Sequence, residues 1–213
     1  MKTYYNYSSK RGVVWGEICR FLNNRFIKAD DRVIEIGCGY GDFISQIRAK
    51  QRAAIEFNSS FKEILMKYDN IKFYFDDALK VLPKLEEDSF DVVFCSNYFE
   101  HFSLHEIERQ LSDIARVLIP SGRLIILQPN FRLCSSIYFD DWTHKTIFSH
   151  ISFSDLLRTK GFRIIKCYDR LLPHSMNSRL PVNKYLVRLY LNSIVKPFAT
   201  QFFIVAENDR NAI

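Results

Sequence analysis

Val33-Ile34-Glu35-Ile36-Gly37-Cys38-Gly39-Tyr40-Gly41 joins a short apolar run to a cluster of glycines. The run from Arg32 to Ile36 has the length and β-branched content of a buried strand. Glycines placed directly after a strand let the chain turn sharply and bring its backbone close to a ligand. Asp42 to Lys50 follows, with Phe43, Ile44 and Ile47 on one face, and predicts a helix whose first amides and positive dipole end point into the crevice above the strand. Strand, glycine turn and helix make the opening unit of an α/β sheet with a ligand at the carboxyl ends of its strands.

Two cofactor classes use such a loop. The dinucleotide fingerprint is Gly-x-Gly-x-x-Gly. Here the third glycine comes one residue early, at Gly41, and an acid precedes the first glycine by two, at Glu35. Both features depart from the dinucleotide pattern. Glu56 closes the next predicted strand, Arg52 to Phe57, whose buried run is Ala53-Ala54-Ile55. A carboxylate at that strand end can accept both hydroxyls of a ribose; by itself it also reads as a surface acid.

Further along, strands are predicted at Ile71 to Phe75, Phe90 to Ser96, Arg123 to Gln128, Phe162 to Tyr168 and Gln201 to Glu207. Helices are predicted at Ser9 to Ile27, Ser59 to Lys67, Leu104 to Leu118, Ser152 to Thr159 and Asn183 to Val195. Pro120-Ser121-Gly122 reads as a turn, and Gly161 as a helix C-cap. The alternation implies a mostly parallel sheet covered on both faces.

On these residues the chain resembles the class I S-adenosylmethionine-dependent methyltransferases. Val33 to Gly41 is similar to their first motif. Asp76-Asp77-Ala78 resembles the acid that meets the adenine amino group. Phe90-Asp91-Val92-Val93 with Asn97-Tyr98-Phe99-Glu100-His101 resembles the fourth-strand motif. Arg116-Val117-Leu118-Ile119-Pro120-Ser121-Gly122 resembles the turn into the fifth strand, where Ser121 stands in place of a more usual glycine. The resemblance implies a Rossmann-like seven-stranded sheet with helices on both faces and an antiparallel last strand, and S-adenosylmethionine as cofactor. It assigns cofactor contacts to Glu35, Gly37, Cys38, Gly39, Tyr40, Gly41, Glu56, Phe57, Asp77, Ala78, Asn97 and Tyr98. Gln128-Pro129-Asn130-Phe131-Arg132, Asp141-Trp142-Thr143-His144, Ser152-Phe153-Ser154 and Gly161-Phe162 resemble, more narrowly, small methyltransferases of bacterial surface-saccharide and related biosynthesis.

Length and composition agree with one domain. The chain has 213 residues, 47% of them hydrophobic, enough for one core and too many for disorder. The expected division is an N-terminal helix or lid over 1–30, a cofactor core over 32–128 and acceptor-side loops with the last strands over 129–213. No stretch is long and apolar enough to span a membrane, and the N-terminus lacks a signal peptide's apolar core, so a cytoplasmic protein is expected. The 5 cysteines are odd in number and lack zinc-type spacing, as reduced cytosolic thiols would be. A net charge of +6 is scattered rather than clustered. This reads as a solvated surface and argues against nucleic acid; a small-molecule acceptor is what the resemblance implies, and the oligomeric state is left open.

Methyl transfer to an oxygen gains from a base, and histidine suits that near neutral pH. His101 follows the fourth strand. His144 follows the fifth, beside Asp141, an acid able to orient it; the same pair also reads as a pin for the loop. His105 and His150 read as surface or helix residues, and His174 as a weak candidate near the acceptor. His101, His144, Asp141 and Glu100 are the residues to weigh for a metal, but the carboxylate cluster that magnesium needs is not evident among them, so no metal is expected. Tyr4, Tyr5, Tyr7 and Arg11 are candidates for a lid. Leu171 to Tyr190 is long for a connection and is expected to face the acceptor, where Arg179, Lys184 and Arg188 are candidates to meet an anionic group, a solvated helix face being the alternative for at least one of them. The acceptor reads as a polar, saccharide-type or phosphorylated molecule. An apolar quinone or lipid, and a non-catalytic cofactor-binding module, are the alternatives.

Overall fold

In a computed structural model, which describes residues 9–173 and 182–210, the chain begins with helix α1 (Ser9–Asn23). Strand β1 (Arg32–Ile36), β2 (Gln51–Ile55), helix α2 (Lys62–Leu65), β3 (Lys72–Tyr74) and α3 (Ala78–Val81) follow. Next come β4 (Phe90–Ser96), α4 (Leu104–Val117), β5 (Leu118–Pro129), α5 (Phe131–Cys134), α6 (His150–Thr159), β6 (Phe162–Leu172), α7 (Lys184–Asn192) and β7 (Gln201–Asn208). The strands form one seven-stranded sheet in the order β3-β2-β1-β4-β5-β7-β6. All neighbours are parallel except β7, which runs antiparallel to both β5 and β6. This is the expected Rossmann-like architecture with its antiparallel last strand.

Alternating strand residues feed two cores. Ile34, Val93, Cys95, Leu124, Ile126, Phe202 and Ile204 face α3, α4 and α6. Val33, Val92, Phe94, Ile125, Leu127, Phe203 and Val205 face α1 and α7. Period-2 alternation with both sets buried is what a doubly covered sheet requires. On the α1 side Phe94 is 1% exposed, stacks on Phe43 with ring centroids 3.9 Å apart, and meets the edge of Trp15.

Several local expectations are corrected. The segment after the glycines is not an α-helix but a series of turns. Gln46 donates to Phe43 while Ile47 and Ser45 donate four residues back, and the amide of Ile44 goes to the Glu35 carboxylate at 3.1 Å. A consecutive helical ladder therefore never forms. Pro120-Ser121-Gly122 lies inside β5 rather than before it. Phe90 pairs with Leu118 and Val92 with Arg123, so the intervening residues bulge. Ser121 there has φ +61°, a conformation that glycine adopts without cost. The short helix α5 and the extension of β6 to Leu172 were not foreseen.

Glu35 is 4% exposed, and burial pushes its carboxyl well above the usual range. A raised folded-state value means that the protein gains stability from this group below the ordinary carboxylate pKa and loses it as pH rises through the folded value. Relative to Glu35→Gln, which keeps the acceptor for Ile44, wild-type stability in urea is expected to fall steadily as pH rises from about 4. A constant difference across pH would contradict this. Phe94→Ala is expected to cost about 3–5 kcal/mol by the same measurement.

Candidate functional site

Strand register brings the site together. Ile36, at the end of β1, lies opposite Ile55 on β2 and Cys95 on β4. The loops that follow these strands emerge side by side. Gly37 and Cys38 donate to the Ile55 carbonyl at 2.9 and 3.3 Å. Gly39 donates to Glu56 Oε2 at 2.8 Å, and Asn58 donates to Glu56 Oε1 at 2.8 Å. Glu56 is buried, and burial raises its carboxyl despite these amide donors. The expectation of a helix N-terminus offering its amides to a ligand is therefore corrected, because Gly39 is held by Glu56 and no helix follows.

Each glycine has its own reason. Gly37, Gly39 and Gly41 have φ of +73°, +53° and +73°. A Cβ on Gly37 would stand 2.7 Å from Tyr98 Cδ2, so the close approach there is made by the Tyr98 ring. A Cβ on Gly41 would stand 2.9 Å from Leu65 Cδ2. Gly39 alone of these meets nothing within 4 Å, so the backbone at Gly39 is the point that a ligand can approach. Tyr98 in turn donates from its hydroxyl to Gln110 Oε1. Tyr40 packs edge-on against Phe61, with the Arg11 guanidinium 5.6 Å from its ring centre. Arg11 also pairs with Asp42 at 2.7 Å, which ties α1 to the glycine loop. Tyr4, Tyr5 and Tyr7, the rest of the expected lid, lie outside the described residues.

Phe57, beside Glu56, is 75% exposed. Asp77 caps α3 by accepting from Leu79 at 2.9 Å, and Ala78 is buried in the core. Asp76, the acid next to it, is exposed and pairs with Lys80. Asn97 has φ +46° and accepts from the Gln201 side chain, so it is tied to β7. Cys38 is buried at the base of the loop.

The histidines are organised differently from the expected Asp–His pair. His144 Nδ1 lies 2.7 Å from the Tyr138 carbonyl, whereas its Nε2 is 3.9 Å from Asp141 Oδ2, beyond hydrogen-bond distance. Asp141 instead accepts from the Thr143 amide at 3.0 Å and hydroxyl at 2.6 Å. Thr143 Oγ1 lies 2.9 Å from His101 Nδ1. Asp141 thus orients His101 through Thr143, a link that the sequence reading missed. Burial alone would raise the Asp141 carboxyl; the Thr143 donors hold it below its ordinary value. Burial, and then His144, pull His101 below the ordinary imidazole value. The two rings are 5.1 Å apart.

Glu100 completes this group. It is fully buried, burial raises its carboxyl to about 8, and neither carboxylate oxygen has a hydrogen-bond partner among the described residues. Its backbone carbonyl accepts from Lys145 and Thr146, which fastens the His144 loop to the exit of β4. Its place next to His101 within Tyr98-Phe99-Glu100-His101-Phe102 is what puts it among the residues weighed for a metal from sequence. His105 is exposed on α4, and His150 opens α6 and lies 3.1 Å from the Asn130 side chain. Arg188 is corrected from substrate contact to structural partner: it forks onto Glu17 of α1 at 2.8 and 2.9 Å. Lys184 lies over the Tyr185 ring. His174 and Arg179 lie outside the described residues. Among the described residues no helix is long and apolar enough to cross a membrane.

Known proteins agree with this architecture. A crystal structure of an S-adenosylmethionine-dependent methyltransferase from Archaeoglobus fulgidus superposes with a TM-score of 0.68 at 21% identity, covering 92% of this chain and 94% of that one. One from Mesorhizobium loti gives 0.64 at 14% identity, covering 93% and 100%. These likenesses are of fold. A demethylmenaquinone methyltransferase of Deinococcus radiodurans is 30% identical over 106 residues, 46% of this chain and 42% of its own length. The chain spans between 8% and 64% of the length of the curated relatives it matches. The family model described as a methyltransferase domain matches residues 9–166, and the chain therefore belongs to the methyltransferase domain family, for which S-adenosylmethionine is the expected cofactor.

Proposed function

We propose that this protein transfers a methyl group from S-adenosylmethionine to a hydroxyl of a small polar acceptor, of saccharide type or phosphorylated. The observation that carries the reading is the Glu56 carboxylate, held by Gly39 and Asn58 at the mouth of the glycine loop. A carboxylate has about four acceptor sites, so capacity remains for ribose hydroxyls. The open space over Gly39 fits the methionyl part of the same molecule. Exposed Phe57 stands where an adenine face can rest, with Asp77 and Ala78 next along the edge. Glu35, Gly37, Cys38, Tyr40 and Gly41 shape the loop, and Asn97 and Tyr98 wall its far side.

S-adenosylmethionine, when bound, supplies a methyl on a sulfonium, already activated for in-line displacement by an oxygen. The chain's own task is then to orient the acceptor, exclude water and manage one proton. Asp141, Thr143 and His101 form a chain suited to the last task, because His101 is neutral near pH 7. His144 stands beside it. Exposed Arg132 and Lys145 flank this region and favour an anionic acceptor. A second reading, an apolar acceptor such as a quinone, draws on exposed Trp142 (76%) and Phe139 (60%) near the same histidines. The Deinococcus relative's name points the same way.

Calorimetry with S-adenosylmethionine is expected to show saturable binding that Glu56→Ala weakens by about 1–3 kcal/mol. Binding of NAD with no affinity for the methyl donor would sink the reading. With an acceptor found by labelled methyl transfer to nucleotide sugars and cell-extract fractions, His144→Ala is expected to lower turnover while leaving cofactor affinity nearly unchanged. Full activity of that variant would remove His144 from the chemistry and leave His101.

A further inference from the structure

Glu100, His101 and His144 each present a ligand atom, and these atoms lie within 4.8 Å of one another. The fold builds this group from two separate segments. Glu100 and His101 belong to the 3-10 turn Phe99–His101 after β4, and His144 follows the turn Tyr138–Asp140. The Glu100 carbonyl accepts from Lys145 at 2.7 Å and Thr146 at 3.2 Å, and Thr146 Oγ1 donates to the Phe102 carbonyl at 2.6 Å. The two segments are thus locked together by backbone, independently of the side chains they bring into contact.

Three features of the side chains point to an ion. First, Glu100 has 0% exposure, and both of its carboxylate oxygens lack a hydrogen-bond partner among the described residues. A buried carboxyl is neutralised by a proton, paired, or used to coordinate a cation, and even the protonated group is left here with both oxygens unpartnered among the described residues. Second, the tautomers are set from outside. His144 Nδ1 donates to the Tyr138 carbonyl at 2.7 Å, which puts the lone pair of its imidazole on Nε2. Thr143 has one hydroxyl proton and gives it to Asp141, so its oxygen accepts from His101 Nδ1–H, again leaving the lone pair on Nε2. Third, an imidazole backed by a backbone carbonyl and another backed through a hydroxyl by a carboxylate are the supports that metal-binding histidines use.

We propose that Glu100, His101 and His144 bind one divalent transition-metal ion. Two imidazole nitrogens and one carboxylate suit Zn²⁺, Fe²⁺ or Co²⁺ rather than Mg²⁺, which prefers oxygen ligands alone. Ligands about 2.1 Å from a common ion stand no more than about 4.2 Å apart, so the ion draws each atom inward by a few tenths of an ångström. Three protein ligands leave a coordination position for water or an acceptor oxygen, and half-buried His101 lies on the solvent side. An acceptor hydroxyl bound there would lose its proton more readily because of the ion's charge, and His101 and His144 would then serve as ligands, the ion taking over the role given above to an imidazole base. This consequence rests on the methyl-transfer reading above; the binding does not.

The test is titration of chelator-treated, full-length protein with Co²⁺, without methyl donor or acceptor, read by visible d–d absorption. About one equivalent is expected to bind and to be displaced by Zn²⁺. Glu100→Gln, His101→Gln and His144→Gln are each expected to weaken binding by more than about tenfold, and Thr143→Val by about tenfold. Cys167→Ser, which removes the exposed thiol, is expected to change nothing. No saturable absorption in the wild-type protein overturns the proposal, and so does a signal that survives the ligand variants or that Cys167→Ser abolishes. Should a buried variant fail to fold, the wild-type titration and the half-buried His101→Gln decide. Because methyl transfer is not measured, a negative result leaves the proposed activity to its own tests.

Discussion

The parallel pairing of β1 between β2 and β4 is the constraint on which the rest of this protein depends. Ile36 sits level with Ile55 and with Cys95, so three strands end together and their loops share one edge. Only then can Gly39 reach Glu56, and only then can the Tyr98 ring lie over Gly37. In a parallel sheet a shift by one residue would also exchange the two buried faces, sending Phe94 toward α4 and Val93 toward α1. Both faces are apolar, so the register is guarded less by polarity than by shape: Phe94 has a stacking partner in Phe43 on one side only.

Around that edge the polar groups divide the work by residue type. On the cofactor side, carboxylates engage backbone: Glu35 takes the Ile44 amide and Glu56 the Gly39 and Asn58 amides. These contacts shape the loop and divert the Ile44 amide from a helical ladder. On the other side, hydrogen bonds run between side chains, from Asp141 through Thr143 to His101, and the loop that bears His144 is stitched to the backbone of Glu100. The first arrangement yields a rigid cradle. The second leaves the buried Glu100 carboxyl without a donor among the described residues.

The antiparallel β7 gives this edge its outer support. It inserts between β5 and β6 and sends Gln201 to Asn97 beyond the end of β4. At its other end Asn208 donates to the carbonyls of Ala115, Leu118 and Ile119, pinning the junction of α4 and β5 where Ser121 takes its positive φ. A strand far along the chain thereby holds both ends of the central sheet.

The sequence alone determined the strand pattern, because apolar runs of strand length between helical periods report burial on two faces, and burial is a local composition effect. It also determined the glycine loop with Glu56, since a positive φ and a strand-end acid leave marks at single positions. Tertiary structure decided what depends on contacts between distant segments. Whether residues 42–47 form a helix turned on a bond from Glu35, and Arg188 was claimed by Glu17, an ion pair between the two ends of the chain. Asp141 lies three residues before His144, near enough to suggest a pair, yet side-chain direction gave its hydrogen bonds to Thr143 and kept His144 Nε2 at 3.9 Å, within ion-pair but not hydrogen-bond reach. Glu100, His101 and His144 could be named together from sequence, with Asp141, but only the meeting of the β4 exit with a loop more than forty residues later shows that three of the four converge and that Asp141 turns to Thr143 instead.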